Sequence, residues 1–237
     1  MRRETMLFPT LDRETRLWQD GYAAVAGIDE VGRGALAGPV VAAAVVLPTG
    51  APLTDPWTAV RDSKELTPRV RETLALEIKQ AAFTWGIGAV SAVRIDEMGI
   101  AAATRQAMTN AVQELGVLPD YLLIDWVKLS TLNIHQESFA KADQLSVTVA
   151  AASILAKEHR DRLMIDLDSI HPHYGFANHK GYGTQPHRTA IQEYGPCPEH
   201  RHTFSPISHY RPTLFKQGAA ASSADPDPRT NDGASAG

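Results

Sequence analysis

Two short apolar segments of this chain run directly into carboxylates. Residues 25–28 are followed by Asp29 and Glu30, and residues 121–124 are followed by Asp125. Apolar segments of this length, bounded by polar residues, predict buried β-strands. In open α/β sheets, ligands bind beyond the carboxyl ends of the strands. The pattern therefore predicts a sheet with a cluster of acids at one edge.

The rest of the chain alternates strand-like and helix-like segments. Further strands are predicted at 40–47, 87–93 and 138–142, and helices at 7–18, 68–82, 96–115, 146–168 and 186–194. In the helix at 68–82, Arg71, Glu72 and Lys79 are predicted to face water. Strands followed by strands mixed with helices indicate an α/β domain with a mixed sheet.

A single domain is predicted for residues 1–217. Residues 218–237 contain no Leu, Ile, Val, Met or aromatic residue, so they are predicted to form a disordered tail. Residues 171–217 form a basic C-terminal lobe, with five Lys or Arg against two Asp or Glu and seven of the nine histidines. Such a lobe beside an acidic body is typical of a nucleic-acid enzyme with an acidic metal site, although chance surface variation explains the charge equally well.

Composition excludes several classes of protein. With 43% hydrophobic and 21% charged residues, the chain is neither fibrous nor wholly disordered. It has no apolar run of membrane-spanning length and no apolar signal core near its start. A lone cysteine, Cys197, cannot form an internal disulfide and suits a reducing compartment. A cytoplasmic location is therefore expected, and a monomer is the default expectation for the oligomeric state.

Asp143, at the start of the helix predicted at 146–168, adds a fourth acid to the three strand-end carboxylates. Converging carboxylates repel one another, so a site that keeps them needs cations, and hard oxygen ligands favour Mg²⁺ or Mn²⁺. The alternative is that Asp29 or Asp143 only caps a turn or a helix. Adjacent strand residues face opposite sides of a sheet, so Asp29 and Glu30 are expected to share a site only if the strand ends or kinks there.

Gly32, Arg33 and Gly34 follow these acids. A Gly-X-Gly turn predicts a kink in the chain and lets the backbone approach a ligand closely. Arg33 adds a partner for a phosphate group.

These motifs and several others resemble the prokaryotic ribonuclease HII family. The resemblance runs in family order from about Gly27 to Pro206, and it rests on residues 27–34 and 36–44, 62–64, 150–157, 160–164, 174–176, 179–184 and 200–201. It implies a ribonuclease H-like mixed sheet flanked by helices, with a small helical and loop-rich C-terminal part. The sister ribonuclease HIII family is similar to a lesser degree, because it usually lacks the arginine of the Gly-Arg-Gly turn.

The resemblance also implies the reaction. It implies an endonuclease that cuts RNA in RNA–DNA hybrids and nicks duplex DNA 5′ of single embedded ribonucleotides, leaving a 3′-hydroxyl and a 5′-phosphate. Asp29, Glu30, Asp125 and Asp143 match the family's metal-binding acids. Two Mg²⁺ or Mn²⁺ ions suit such a hydrolysis because they activate water and stabilise the leaving oxygen.

Substrate-binding residues are predicted from the same motifs. The Gly32-Arg33-Gly34 backbone is expected to read the 2′-hydroxyl, which is the only sugar difference between RNA and DNA. By resemblance, Tyr182 is expected to stack at the DNA side of the RNA-to-DNA junction. Candidate phosphate contacts are Arg33, Lys64, Lys157 and Lys180, each of which is otherwise a solvated surface charge.

Two positions beside the acids depart from the family pattern. Trp126 follows Asp125 where the family usually has glycine, and Ala142 precedes Asp143 where glycine is also usual. Trp126 is expected either to fill space near the site or to stack on the substrate. Neither change removes a metal ligand.

Other functions agree less well with these residues. A catalytically silent binder of hybrids would gain nothing from clustered acids, and a resolvase or integrase would not need the turn or Tyr182. The spacing of Cys197, His200 and His202 is not that of a zinc site. Residues 212–215 faintly resemble a sliding-clamp peptide, but packing of Leu214 and Phe215 on the core is the favoured alternative.

Overall fold

The computed structural model describes residues 8–210. The strands are β1 Val25–Val31, β2 Val40–Val46, β3 Thr84–Val90, β4 Tyr121–Asp125 and β5 His135–Phe139. The helices are α1 Asp12–Gln19, α2 Pro68–Ala81, α3 Ala92–Met98, α4 Ile100–Gln113, α5 Val147–Ile170, α6 Phe176–His179 and α7 Gln185–Tyr194. The predicted tail at 218–237 and the clamp-like segment at 212–215 lie outside the described residues.

The five strands form one mixed sheet in the order β3-β2-β1-β4-β5. β1 pairs antiparallel with β2, and β2 pairs antiparallel with β3. On its other side, β1 runs parallel to β4, which runs parallel to β5. The carboxyl ends of β1 and β4 therefore meet at one edge of the sheet, as the sequence predicts.

Helices cover both faces of the sheet. On one face, alternate residues of β2 such as Val41 and Val45 pack against α2 and α5, through side chains that include Ile78 and Ile154. On the other face, the intervening residues of β2 pack against α3 and α4, through side chains that include Met108. β2 is buried along its whole length because both of its faces are covered.

The amino-terminal part of α5 is fixed by a buried carboxylate of α1. Glu14 accepts hydrogen bonds from the Ser146 hydroxyl at 2.6 Å and from the Thr148 amide at 3.0 Å. The Ser146 hydroxyl in turn accepts from the Val149 amide at 3.3 Å and caps the helix. These bonds fix the start of α5, just after the turn that carries Asp143.

A separate small core holds the C-terminal lobe against the rest of the chain. Tyr174, Phe176 and Ile191 pack there with Leu36 and with Met164 of α5. The lobe is therefore attached both to the loop that follows β1 and to the long helix.

Several predicted boundaries are wrong for identifiable reasons. The first helix starts at Asp12, because Thr10 is held extended by a bridge to Ser146. The predicted strand at 87–93 spans Thr84–Val90, since it pairs with β2 over its full length. The strand predicted at 138–142 spans His135–Phe139, and its polar first residues conceal it.

The helix predicted at 96–115 is two helices. α3 begins at Ala92, because the Ser91 side chain accepts from the Arg94 amide and caps it. Gly99 has φ +78°, which ends α3 before α4 begins at Ile100. Past residue 171, the one-turn helix α6 is an element that the sequence does not indicate.

The prediction that Arg71 faces water is wrong, because its side chain is buried. Its guanidinium donates to the backbone oxygens of Ser63 and Leu66 at 3.0 and 3.2 Å and pairs with Asp161 at 3.1 Å. Helical periodicity does not reveal this because the loop at 62–66 folds back over α2 and covers the side chain.

Between residues 8 and 210, no helix combines the length and the apolar character that a bilayer crossing requires.

Candidate active site

Asp29 and Asp125 lie at the carboxyl ends of the adjacent parallel strands β1 and β4. Asp125 Oδ1 accepts a hydrogen bond from the Ala142 amide at 2.9 Å. Ala142 begins a single 3₁₀ turn, Ala142–Gln144, that contains Asp143. The bond therefore fixes the fourth predicted acid beside the third.

Strand β1 continues past the first two acids, and the predicted kink lies at the Gly-X-Gly turn that follows them. Asp29, Glu30 and Val31 all remain paired with β2, and the chain turns only at Gly32, where φ is +91°. Because strand residues alternate between faces, Asp29 and Glu30 leave the sheet on opposite sides. Both acids nevertheless line one cavity beyond the strand end.

The four acids repel one another at close range. Burial raises the pKa of Asp29 well above its usual value, and the charges of the other three acids raise it further. Burial, followed by the charges of Asp62 and Asp125, raises the pKa of Asp143 to about 6. Burial also raises the pKa of Glu30, although Arg33 opposes the change. This part of the molecule favours a bound cation, because a cation would offset the repulsion.

Within the described residues, no three acid, His or Cys side chains are arranged as a ready metal-ligand set. Glu30 shows one reason. Its Oε1 accepts from the Arg33 guanidinium at 3.1 Å, while its buried Oε2 has no hydrogen-bond partner among residues 8–210. The donors are all carboxylate oxygens, which suit Mg²⁺ or Mn²⁺. The residues therefore fit such a cation in chemistry, provided that side chains rotate towards it.

The cavity at the strand ends has a volume of about 300 Å³. It brings together five of the residues predicted from the sequence, together with others. Its lining consists of Asp29, Glu30, Val31, Ser63, Lys64, Ser153, Lys157 and Tyr182. Lys180 lies elsewhere, in a groove between α2 and α5, and its ammonium group bonds to the Ala177 carbonyl.

Two lysines place positive charge in the acid-lined cavity. Burial alone would lower the pKa of Lys64, but the nearby acids, led by Asp62, raise it above its usual value. The Lys157 ammonium donates to Asp161 at 2.7 Å, and burial lowers its pKa. Asp161 is itself held by Arg71.

Ser63 and Ser153 belong to the matched motifs, but sequence reasoning assigns them no role. Their hydroxyls are 2.9 Å apart, and both residues are buried in the wall of the cavity. Ser153 lies in the run of small residues on α5, and its position there is the signal that could have indicated it.

The turn after β1 has two glycines with different surroundings. A Cβ at Gly32 would lie 2.2 Å from Arg160 Nε, and its φ of +91° suits glycine. A Cβ at Gly34 would meet no atom of residues 8–210 within 4 Å. The fold therefore explains the first glycine but not the second.

Tyr182 is half-buried at the rim of the cavity. The Arg160 guanidinium lies 5.5 Å from the centre of its ring. The Tyr182 carbonyl accepts a hydrogen bond from His187 Nδ1 at 3.0 Å. The ring therefore contacts α5, while the C-terminal lobe holds the Tyr182 backbone beside the cavity.

Solved structures share this fold. The chain matches ribonuclease H2 from Pyrococcus horikoshii with a TM-score of 0.67 and 26% identity, covering 78% of this chain and 96% of that one. It matches the PCNA:RNase HII complex from Archaeoglobus fulgidus with a TM-score of 0.66 and 26% identity, covering 81% and 98%. Bst-RNase HIII in complex with Mn²⁺ shares the fold at 20% identity, with a TM-score of 0.58 and coverage of 79% and 68%. The fold and the strand-end acids define a nuclease of the ribonuclease H class.

Sequence similarity identifies the family within this class. The family model described as Ribonuclease HII matches residues 26–207. Ribonucleases HII from Herpetosiphon aurantiacus and Dehalococcoides mccartyi are 49% and 47% identical, each over 84% of this chain, and the matches cover 97% and 94% of those proteins. The chain belongs to the ribonuclease HII family, whose members are metal-dependent endoribonucleases that degrade the RNA of RNA–DNA hybrids. The predicted family, mixed-sheet fold and enzyme class are confirmed.

Proposed function

We propose that this chain hydrolyses RNA in hybrids and also nicks duplex DNA on the 5′ side of single ribonucleotides, leaving a 3′-hydroxyl and a 5′-phosphate. The observation that carries the proposal is the cavity in which Asp29 and Glu30, two lysines and Tyr182 meet. Acids alone would repel a phosphodiester, whereas acids with cations would bind it.

Asp29, Glu30, Asp125 and Asp143 would hold two Mg²⁺ or Mn²⁺ ions. When bound, such ions lower the pKa of an attacking water and neutralise charge on the phosphate and the leaving oxygen. The hydrogen bond from the Ala142 amide to Asp125 positions Asp125 and Asp143 next to each other for this role. Release of Glu30 from Arg33 would make its Oε1 available as well as its Oε2, and it would let Arg33 turn towards a phosphate.

The remaining residues position the substrate. Lys64, which the acids keep protonated, and Lys157 would contact phosphates at the rim of the cavity. The backbone of Gly32, Arg33 and Gly34 would contact the ribose, where Gly34 leaves open space. Phosphate contact by Lys180 stays a prediction, because that side chain lies in a different groove.

Tyr182 would stack on the nucleotide at the DNA side of the junction. Its ring is supported from behind by Arg160 and its backbone by His187, so it presents a fixed surface. Stacking of a base on such a ring contributes about 1–3 kcal/mol.

A silent hybrid-binding protein is the second candidate function. Acids crowded enough to raise one another's pKa would only weaken the binding of phosphates in such a protein. The monomeric state, the cytoplasmic location and the one-domain organisation of 1–217 stay predictions. Clamp binding by 212–215 stays the less favoured alternative to packing of that segment on the core.

A labelled DNA duplex with one ribonucleotide tests the proposal. With Mg²⁺ or Mn²⁺, wild-type protein is expected to nick it 5′ of the ribonucleotide and to leave an all-DNA duplex intact, and EDTA is expected to stop the reaction. Asp29→Asn is expected to fold but not to turn over. No cleavage by folded, metal-supplied wild-type protein would instead support the silent binder.

Tyr182→Ala separates the stacking role from the metal site. It is expected to lower cleavage of the ribonucleotide duplex by about 10-fold or more, without changing Mn²⁺ affinity measured by calorimetry. Undiminished cleavage of this duplex would remove Tyr182 from the proposed site.

A further inference from the structure

Two arginines beside the site are buried, and the described part of the chain gives neither of them an acidic partner. Arg160, on α5, and Arg201, in the lobe, are both 0% exposed. Neither forms an ion pair with any described residue. Among the residues that the structure describes, their guanidinium groups donate only to backbone oxygens, and the sequence motifs give Arg201 no role. A buried charge is costly unless it is satisfied, so these carbonyls compensate it.

Arg201 binds the turn that follows β1. Its Nη2 donates to the Gly32 oxygen at 2.7 Å and its Nη1 to the Arg33 oxygen at 2.8 Å. Its Nε and Nη2 donate to the Gly38 oxygen at 3.1 and 2.9 Å. One guanidinium thus holds two consecutive peptide groups of the turn and a third a few residues further along.

Arg160 extends the same arrangement to the lobe. It donates to the oxygens of Ala37 and Pro39 at 3.1 and 2.9 Å, and to the Lys180 oxygen at 2.9 Å. Lys180 is two residues before Tyr182. The turn and the stacking residue are therefore both attached to one pair of buried cations.

The direction of the held carbonyls determines the direction of the amides. In a planar trans peptide, the C=O and N–H groups point to opposite sides. The Gly32 oxygen shares its peptide group with the Arg33 amide, and the Arg33 oxygen shares its own with the Gly34 amide, and both are trans. Both amides therefore point away from buried Arg201. Among residues 8–210, no hydrogen-bond acceptor is found for either of them.

We propose that Arg201 is a positioning residue that aims the Arg33 and Gly34 amides at an oxygen of the bound ribonucleotide, with Arg160 fixing this turn relative to Tyr182. The cation also polarises the two peptide groups and makes their amides stronger donors. The inference rests on the proposed function and assigns the residue that prepares its ribose-reading turn.

The test compares Arg201→Met and Arg201→Lys with wild-type protein. Controls are Arg162→Met, an exposed arginine on α5, and Leu74→Ala, a core variant that lowers Tm without touching the turn. The kcat/KM for the single-ribonucleotide duplex is measured, together with the Ki of an all-DNA duplex as competitor.

Arg201→Met is expected to lower kcat/KM by at least about 10-fold while Ki changes less than about 2-fold, and Arg201→Lys is expected to restore part of the loss. A fall in kcat/KM accompanied by an equally large weakening of all-DNA binding, as expected for Leu74→Ala, would overturn the inference. An unchanged kcat/KM would also overturn it. Failure of the wild-type protein to cleave would instead contradict the proposed function.

A measurement on wild-type protein covers the case in which Arg201→Met does not fold. Amide hydrogen exchange of Arg33 and Gly34 is followed by nuclear magnetic resonance. Both amides are expected to exchange fast in the free protein and to be protected by the ribonucleotide duplex, with Ca²⁺ in place of Mg²⁺, but not by the all-DNA duplex. Protection in the free protein, or equal protection by both duplexes, would overturn the inference.

Discussion

At the scale of single residues, Gly34 is a glycine at a position where the fold would accept a side chain. A Cβ added there would meet only open space, and its φ lies outside the left-handed region. Gly34→Ala is therefore expected to keep the wild-type Tm within about 2 °C. Its methyl group would stand where the ribose approaches, so kcat/KM on a single-ribonucleotide duplex should fall by about 10-fold or more. Thermal unfolding and steady-state kinetics together check this.

Gly32→Ala is the matched comparison for Gly34→Ala. A Cβ at Gly32 would clash with Arg160, and the left-handed backbone at this position is unfavourable for alanine. This variant should therefore lose stability as well as activity. Full activity of Gly34→Ala would show that the substrate does not approach the turn closely.

Trp126 has a strained backbone beside a strand-end acid. Its φ is +62° and its side chain is 70% exposed, so it does not fill space in the core. A left-handed conformation costs a non-glycine residue about 1–2 kcal/mol. Trp126→Gly is expected to raise the free energy of unfolding by up to about 1 kcal/mol, because glycine also gains freedom in the unfolded chain. Urea titration measures this change in the free energy of unfolding. A destabilised variant would mean that the Trp126 ring makes stabilising contacts.

The exposed Trp126 ring leaves substrate stacking as its predicted role. If it stacks, Trp126→Gly should raise KM for the duplex while kcat stays within about 2-fold. An unchanged KM would mean that the ring does not contact the substrate.

At the scale of elements, two histidines link α7 to the following loop. His200 Nδ1 accepts from the Cys197 amide at 2.9 Å, and His200 Nε2 lies 3.1 Å from His187 Nε2. His187 Nδ1 lies 3.0 Å from the Tyr182 oxygen. These groups form one hydrogen-bonded histidine chain if His200 carries its proton on Nε2 and His187 carries its proton on Nδ1. Both rings must therefore be neutral.

This histidine chain predicts loss of stability in acid. Burial lowers the pKa of both His187 and His200 from 6.5 to about 4. Between these values the unfolded chain binds more protons, so stability is full above pH 6.5 and is lost as pH falls towards 4. Over this pH window we expect each histidine to lower the free energy of unfolding by roughly 1–3 kcal/mol, measured by urea unfolding. The His187→Gln variant should lose less stability than wild-type protein as pH falls. The His173→Gln variant, an exposed control, should lose as much as wild-type protein.

An equal acid response in His187→Gln and wild-type protein would contradict the neutral histidine chain.

Element boundaries show what periodicity can and cannot predict. The sequence predicts α2 and α7 closely, because a cap or a proline and an apolar stripe coincide there. It misplaces β5, whose polar residues pair only with β4 at the edge of the sheet. It also predicts the wrong environment for Arg71, since burial of that side chain depends on a loop that no local pattern describes. Local signals thus predict elements, whereas partners distant in sequence decide their surroundings.

At the scale of the whole molecule, the raised pKa values of the acids make stability depend on pH. The pKa of Asp143 is raised from 3.8 to about 6, and those of Asp29 and Glu30 are also raised. Between pH 4 and 6 these acids bind more protons in the folded state than in the unfolded chain. Their contribution to the stability of metal-free protein therefore falls as pH rises through this range, opposite in sign to the contribution of the two histidines. Mg²⁺ should relieve that repulsion only where the acids are ionised.

Tm should therefore rise more on addition of Mg²⁺ at pH 7.5 than at pH 5, as measured by calorimetry against EDTA. Asp143→Asn should reduce the difference between the two pH values. An equal rise at both pH values would argue against a cation held by these acids.

The site is only partly predictable from the sequence. The chain order of motifs predicts acids at strand ends, and the structure confirms that β1 and β4 are neighbours. The sequence does not show that β1 continues through Glu30, or that Arg33 holds that carboxylate. The roles of Ser63, Ser153 and Arg201 depend on residues far away in the chain.

The central claim is that the strand-end acids hold cations at the bond to be cut. Anomalous diffraction from crystals grown with Mn²⁺ tests it most directly. The protein would be bound to a duplex carrying a cleavage-resistant phosphorothioate 5′ of its single ribonucleotide. We predict two Mn²⁺ peaks, about 3.5–4 Å apart, among Asp29, Glu30, Asp125 and Asp143, next to that phosphorothioate. A bound duplex with no Mn²⁺ at these acids would contradict the claim.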